Sequence, residues 1–283
     1  MGTDPFRIRD HVADFDVIVS EIVQASERVR KNVPMIADIA YGSDPSETVD
    51  LFFPAGPREH LPVHMFIHGG YWRMWSKREY SYIAKTITDA GGIAVIVDYS
   101  LMPNVRMEVL VKQVIQAKRW VRDHISDYGG DPASITISGH SAGAHLASHL
   151  IHHDRPGGKI SGALLLGGLY DLRPLKMSFL QAEIALTDDE IERFTPLDHF
   201  HDPTCQVILA VGEQETKPFH AQMETFFDVL RRQGAPASKI VIRGRNHMSS
   251  VRDLGIPGTE MGGILSDVLQ TGLKRQPSAR APG

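Results

Sequence analysis

Cysteine is almost missing from this sequence: Cys205 is the only one in 283 residues. That excludes an internal disulfide framework and fits a reducing compartment. An excess of one sign of charge is missing as well. A formal net charge of −4 leaves no electrostatic footprint for nucleic acid or for an anionic membrane. No apolar run approaches the length that spans a bilayer. The opening Met1-Gly2-Thr3-Asp4-Pro5-Phe6 lacks the basic and apolar regions of a secretory signal, and Phe6 stands where a myristoylation pattern needs Ser or Thr. No internal repeat is visible. The expectation is a cytoplasmic protein with no nucleic-acid or membrane partner, a homodimer being left open.

What is present is the composition of a globular enzyme, 42% hydrophobic and 23% charged, in a length that allows one large α/β domain or two small ones. Residues 10–31 read as an amphipathic helix ending before Pro34. Alternating runs at 36–41 and 48–53, separated by Gly42-Ser43-Asp44-Pro45-Ser46, carry a hairpin signature. Apolar strands follow at 61–67, 93–98, 133–137, 160–168, 205–211 and 239–242, interleaved with helical patterns at 77–90, 106–128, 142–152, 219–233 and 261–273. Residues 172–203 break this rhythm and read as a short helical cap or lid. The Pro-, Ser- and Arg-rich residues 274–283 read as a disordered tail. Alternating strands and helices predict one α/β domain over 1–283. Its mostly parallel twisted sheet has about eight strands, helices on both faces and an antiparallel hairpin at its start.

The chain is organised around Gly139-His140-Ser141-Ala142-Gly143, which fills the G-x-S-x-G pattern between an apolar strand and a helix-forming stretch. A serine in so sharp a turn is strained, and side chains at Gly139 or Gly143 would collide with the neighbouring strand or helix. The helix N-terminus points free N–H groups at the place where an oxyanion would form. A Gly/Ser turn that fits the pattern by chance is the alternative, and the flanking strand and helix argue against it.

Serine alone is a poor nucleophile and needs a base held by an acid. In an open parallel sheet those groups belong just past the C-terminal ends of strands. Two such segments are Gly212-Glu213-Gln214-Glu215-Thr216 and Arg243-Gly244-Arg245-Asn246-His247-Met248. The order Ser141, Glu215, His247 makes His247 the general base and Glu215 its orienting acid. Glu213 and Asp171 remain as alternative acids. His68-Gly69-Gly70-Tyr71-Trp72 follows another strand, and its backbone N–H groups can approach an oxyanion without side-chain obstruction. The expected donors are Ala142, Gly70 and Tyr71, with Gly69 as a further candidate. His145, His149 and His153 lie at i, i+4, i+8 beside His152, a spacing that can bind zinc. No H-E-x-x-H glutamate or cysteine accompanies them, so no metal and no cofactor is expected.

These residues resemble a known family. His68-Gly69-Gly70, Asp98-Tyr99-Ser100-Leu101-Met102-Pro103, Gly130-Asp131-Pro132 and the 139–143 elbow are similar to α/β-hydrolases near the hormone-sensitive-lipase-like esterases. The variant His68-Gly69-Gly70-Tyr71-Trp72, residues 139–147, Gly168-Leu169-Tyr170-Asp171-Leu172 and Thr195-Pro196-Leu197 look like the kynurenine formamidase (arylformamidase) branch. The resemblance covers roughly residues 35–270. It implies the α/β-hydrolase fold and metal-free hydrolysis of an N-formyl aromatic amine such as N-formylkynurenine. The residues themselves imply only acyl transfer to water through an acyl-serine, so a carboxylesterase of small acyl or aryl esters stays open. A non-catalytic ligand-binding protein on the same scaffold is a third reading. One departure is the acid, where the wider fold usually has Asp and this chain has Glu215. Gly69, Trp72, Tyr170 and His140 are the candidate substrate contacts, with Tyr71 and Trp72 either crowding a small acyl group or packing in the core.

Overall fold

The computed structural model describes residues 3–152 and 158–272. The expected tail at 274–283, and His153, lie outside the described residues. Eight strands form one sheet: β1 (Met35–Ala40), β2 (Thr48–Phe52), β3 (Leu61–Ile67), β4 (Ile93–Val97), β5 (Gly130–His140), β6 (Gly162–Leu166), β7 (Gln206–Gly212) and β8 (Ala237–Ile242). Their spatial order is β1-β2-β4-β3-β5-β6-β7-β8. β1 pairs antiparallel with β2, and β2 antiparallel with β4, while every later pairing is parallel. The hairpin-led, mostly parallel sheet is therefore as expected. Central strands such as Ile93-Ala94-Val95-Ile96-Val97 are buried on both faces, which is why they are apolar throughout, and mostly β-branched, rather than alternating.

The helices are α1 (Phe15–Asn32), α2 (Ala84–Asp89), α3 (Met107–His124), α4 (Ala142–Ser148), α5 (Leu180–Ile184), α6 (Asp188–Phe194), α7 (Lys217–Arg232), α8 (His247–Asp253) and α9 (Glu260–Thr271). α2 packs with α9 on β3, β4, β5 and β6, and α3 with α4 against β5, so the sheet is covered from both sides. α1 buries Ile18, Ile22, Ser26 and Val29, the one-sided stripe its spacing predicts. Residues 172–203 make the expected cap from α5, α6 and 3₁₀ turns at Arg173–Met177 and Pro196–Asp198.

Register is what assembles the rim above the sheet. Ile67 of β3 lies opposite Gly139, His140 of β5 opposite Leu166, and Leu166 of β6 opposite Ala210. The strands thus finish at one level, and the Ser141 N–H continues the ladder by donating to the Leu166 carbonyl at 2.8 Å. The segments 68–72, 141–143, 167–171 and 213–216 all emerge beside one another.

Candidate active site

Ser141 sits at φ 56°, ψ −122°, between the end of β5 and the first residue of α4. A non-glycine residue there costs on the order of 1–3 kcal/mol and persists only where its surroundings over-determine it. Here the constraint is close packing of backbone on backbone. A Cβ on Gly143 would lie 2.1 Å from the Ile67 carbonyl oxygen, and one on Gly139 would lie 2.3 Å from the Gly143 carbonyl oxygen. Both expected collisions are present, one with a strand and one with a helix.

The His247 Nδ1–H donates to Glu215 Oε2 at 2.6 Å, and the Gly212 N–H donates to Glu215 Oε1 at 2.8 Å. The carboxylate is thus held at both oxygens and accepts at Nδ1, which leaves the His247 Nε2 with the lone pair a base requires. The other two carboxylates are occupied elsewhere. Glu213 accepts from the Gly244 N–H at 2.8 Å, and Asp171 pairs with Arg173 at 2.6 Å. His247 is the first residue of α8, a helix absent from the sequence expectations. Asn246 caps it by accepting from the Met248 and Ser249 N–H groups.

Two residues link the segment that carries the serine to the one that carries the imidazole. The ring of His140, immediately before Ser141, lies 4.4 Å from that of His247, and its Nε2–H donates to the His247 carbonyl at 3.1 Å. Gly167, next to the Leu166 carbonyl that holds Ser141, is so close that a Cβ there would lie 3.0 Å from His247 Nδ1. Among the described residues no hydrogen bond joins Ser141 Oγ to His247. Such contacts are commonly long before substrate arrives and tighten in the complex. Burial holds the His140 pKa well below the usual value, and the neighbouring His247 pushes the same way, so His140 stays neutral.

The loop after β3 carries positive φ at Gly70 (108°), Tyr71 (53°) and Trp72 (61°) in succession. Among the described residues the N–H groups of Gly70, Tyr71 and Ala142 take no partner. The Gly69 N–H differs, because it engages the Tyr80 hydroxyl. Three of the expected substrate contacts are packed against the protein's own side chains. Trp72 has no accessible surface, and its indole N–H donates to His145 Nδ1 at 3.1 Å. Tyr170 is 1% exposed and stacks on Phe226 at 4.3 Å. His140, 2% exposed, stands behind the base. Large rings contribute most by burial, and each of the three has a partner ring within 5.1 Å of its own.

The histidine row also resolves into packing. His145 Nε2–H donates to the Phe194 carbonyl and His201 Nε2–H to the Pro196 carbonyl; His145 packs edge-on against His149 and His201 edge-on against His152, which stacks on His199, between α4 and the cap. Among the described residues no cluster of His, Cys, Asp or Glu is arranged to hold a metal ion.

Sequence spacing missed the N-terminal residues 4–8, which reach this rim. The Thr216 hydroxyl donates to the Pro5 carbonyl at 2.7 Å, and the Tyr71 hydroxyl donates to the Phe6 carbonyl at 2.8 Å. Phe219, whose ring lies 4.7 Å from that of His247, was read only as a helix residue.

The family description of the α/β-hydrolase fold matches residues 64–251, more than half of the chain and every residue of the elbow and the Glu215–His247 pair. The chain belongs to the α/β-hydrolase fold family. Among relatives of this hydrolase, a kynurenine formamidase of Danio rerio is 28% identical over 262 residues, covering 88% of this chain and 88% of that protein. One of Drosophila melanogaster is 27% identical, covering 86% and 84%. An esterase of Mycobacterium tuberculosis is 30% identical over 73% of this chain and 55% of its own. A solved thermophilic carboxylesterase cloned from a metagenomic library shares the fold at a TM-score of 0.71, with 18% identity over 93% of this chain and 98% of its own. No helix among the described residues is long and apolar enough to cross a membrane.

Proposed function

We propose that this chain is a serine hydrolase that removes a small, formyl-like acyl group from an aryl amide of the N-formylkynurenine type. The observation that carries this reading is the 2.6 Å Glu215–His247 pair behind a serine whose turn faces three unpartnered backbone N–H groups. Ser141 Oγ attacks the acyl carbon while His247 Nε2 takes its proton. The carbonyl electron pair moves to oxygen, where the N–H groups of Ala142, Gly70 and Tyr71 stabilise it. His247 then protonates the departing aryl amine, leaving the acyl group on Ser141. Water attacks next, delivers its proton to His247, and the acid leaves as the proton returns to Ser141. Glu215 accepts the Nδ1–H hydrogen bond throughout and so orients the ring. Gly69 lines the loop through its backbone.

The formamidases among the relatives support the amide, and the esterases support a second reading, a carboxylesterase acting on small acyl or aryl esters. The test is kcat/KM on N-formylkynurenine against an aryl acetate, measured with and without EDTA. The formamide is expected to be the better substrate and EDTA without effect. A preference for the acetate makes the carboxylesterase the function. A phosphonate probe is expected to give a stoichiometric burst that Ser141→Ala abolishes together with turnover. Absence of both in the wild-type protein would leave a ligand-binding protein on a hydrolase scaffold. One sheet containing all the site elements supports reading residues 1–283 as one domain, and a single cysteine supports a cytoplasmic setting.

A further inference from the structure

Residues 4–8 form a strap across the rim, bound to three different walls of the site. Asp4 Oδ2 accepts the Phe179 N–H of the cap at 2.5 Å. The Pro5 carbonyl accepts the hydroxyl of Thr216, the residue after Glu215. Phe6 packs edge-on against Phe219 at 5.9 Å, and Phe219 packs on His247. The third wall is Tyr71. Its hydroxyl donates to the Phe6 carbonyl at 2.8 Å and accepts the Ile8 N–H at 2.9 Å, so the strap's backbone occupies it as both donor and acceptor. The Tyr71 ring is in turn edge-on to Phe179 at 5.2 Å, with the Arg7 guanidinium over the other aromatic.

Tyr71 is also the middle of the three consecutive left-handed residues. An unsupported tyrosine relaxes from φ 53° to the ordinary region, turning its own N–H, and the peptide next to it, away from the elbow. The Tyr71 side chain is anchored away from this loop, its ring by Phe179 of the cap and its hydroxyl by the strap. We propose that residues 4–8 are a structural part of the oxyanion site, acting through the Tyr71 phenol to hold the Gly70 and Tyr71 N–H groups in donor orientation. Tyr71 is thus a positioning residue through its side chain as well as a donor through its backbone. The proposal rests on the hydrolase reading above.

Tyr71→Phe in the full chain keeps the ring on Phe179 and deletes both strap hydrogen bonds. It is expected to lower kcat on an aryl acetate about 10-fold or more, below the ~10²–10³ typical of losing a donor outright, with KM within about threefold. Affinity for a trifluoromethyl ketone, which Ser141 attacks to form a tetrahedral oxyanion, should weaken by the same factor as kcat. An Asp4→Ala/Thr216→Val double variant loosens the strap from its other two walls. It should lower kcat in the same way, and combined with Tyr71→Phe should add less than its separate effect. Unchanged kcat and ketone affinity in both variants, with Ser141 still labelled by the phosphonate, overturns the proposal and leaves the hydrolase standing. So do losses confined to KM, or fully multiplicative ones. A wild-type chain that neither hydrolyses nor labels overturns both readings.

Discussion

Glu215 and Glu213 lie two residues apart in one turn, yet they face different neighbours. Glu215 is buried, with one oxygen on the Gly212 N–H and the other on His247, whereas Glu213 is exposed and reaches the Gly244 N–H. Glu215→Gln preserves the shape but no longer holds the proton on Nδ1. Its kcat is expected to fall by about 10³–10⁴, as when the wrong imidazole tautomer is stabilised. Glu213→Gln should stay within about threefold, the behaviour of a surface position. Steady-state kinetics on one substrate separates the two. Ser141 and His247 are legible in the sequence because strand ends and the elbow pattern announce them. The choice among carboxylates is not, since the direction of a side chain after a strand depends on the turn that follows. Nor is the Pro5–Thr216 contact, which spans 211 positions and leaves no local pattern.

At the scale of elements, one carboxylate ties the cap to α3. Glu190 closes a capping box with Thr187 at the start of α6, accepts the Met107 N–H that opens α3, and pairs with Arg106. The Arg106 guanidinium also donates to the carbonyls of Ile184 and Ala185 at the end of α5. Glu190→Ala removes the capping box, the Met107 contact and the Arg106 pair at once. The expected cost is about 2 kcal/mol, less than for a fully buried pair because Arg106 is partly solvated. Urea unfolding measures it, and hydrogen exchange should quicken first over α5 and α6. The Thr187-Asp188-Asp189-Glu190 signature is visible in the sequence but reads there merely as acidic. α8 is illegible for a different reason: its seven residues begin on His247 and carry Ser rather than Glu at the third position, so neither length nor capping pattern marks a helix. The long helix expected over 106–128 ends at His124 and finishes as a 3₁₀ turn on Gly129, whose φ of 86° stops it.

Across the whole molecule, buried imidazoles set the response to acid. Burial lowers His64 from 6.5 to about 3, and His145 and His201 to about 4, and His140 moves in the same direction. The folded chain keeps these rings neutral while the unfolded chain protonates them near pH 6.5. Between pH 6.5 and about 4 the unfolded state therefore binds more protons, and stability falls as pH falls. Above pH 6.5 these groups contribute no slope. Each is expected to remove on the order of 1 kcal/mol per pH unit in that window. Thermal denaturation from pH 8 to pH 5 should show a plateau followed by a decline, and a flat curve would mean that the rings charge without unfolding. The mostly parallel sheet and its leading hairpin are readable from the spacing of apolar runs, because burial on both faces leaves few other residue types there, whereas the strand order, with β4 between β2 and β3, leaves no local pattern.

The two sides of β5 differ in kind. Thr136 and Ser138 hold the His64 ring at 2.8 and 2.6 Å, while Ile135 and Ile137, alternating with them, are wholly apolar and buried. Losing a single amino acid from this strand would exchange the two sides along the remainder of its length, stranding the imidazole among hydrocarbons and swinging the nucleophile half a turn away from its partners. A change of length is therefore far costlier inside this strand than in the loops around the rim, and a new substrate preference has more room to come from those loops than from the strand that carries the serine.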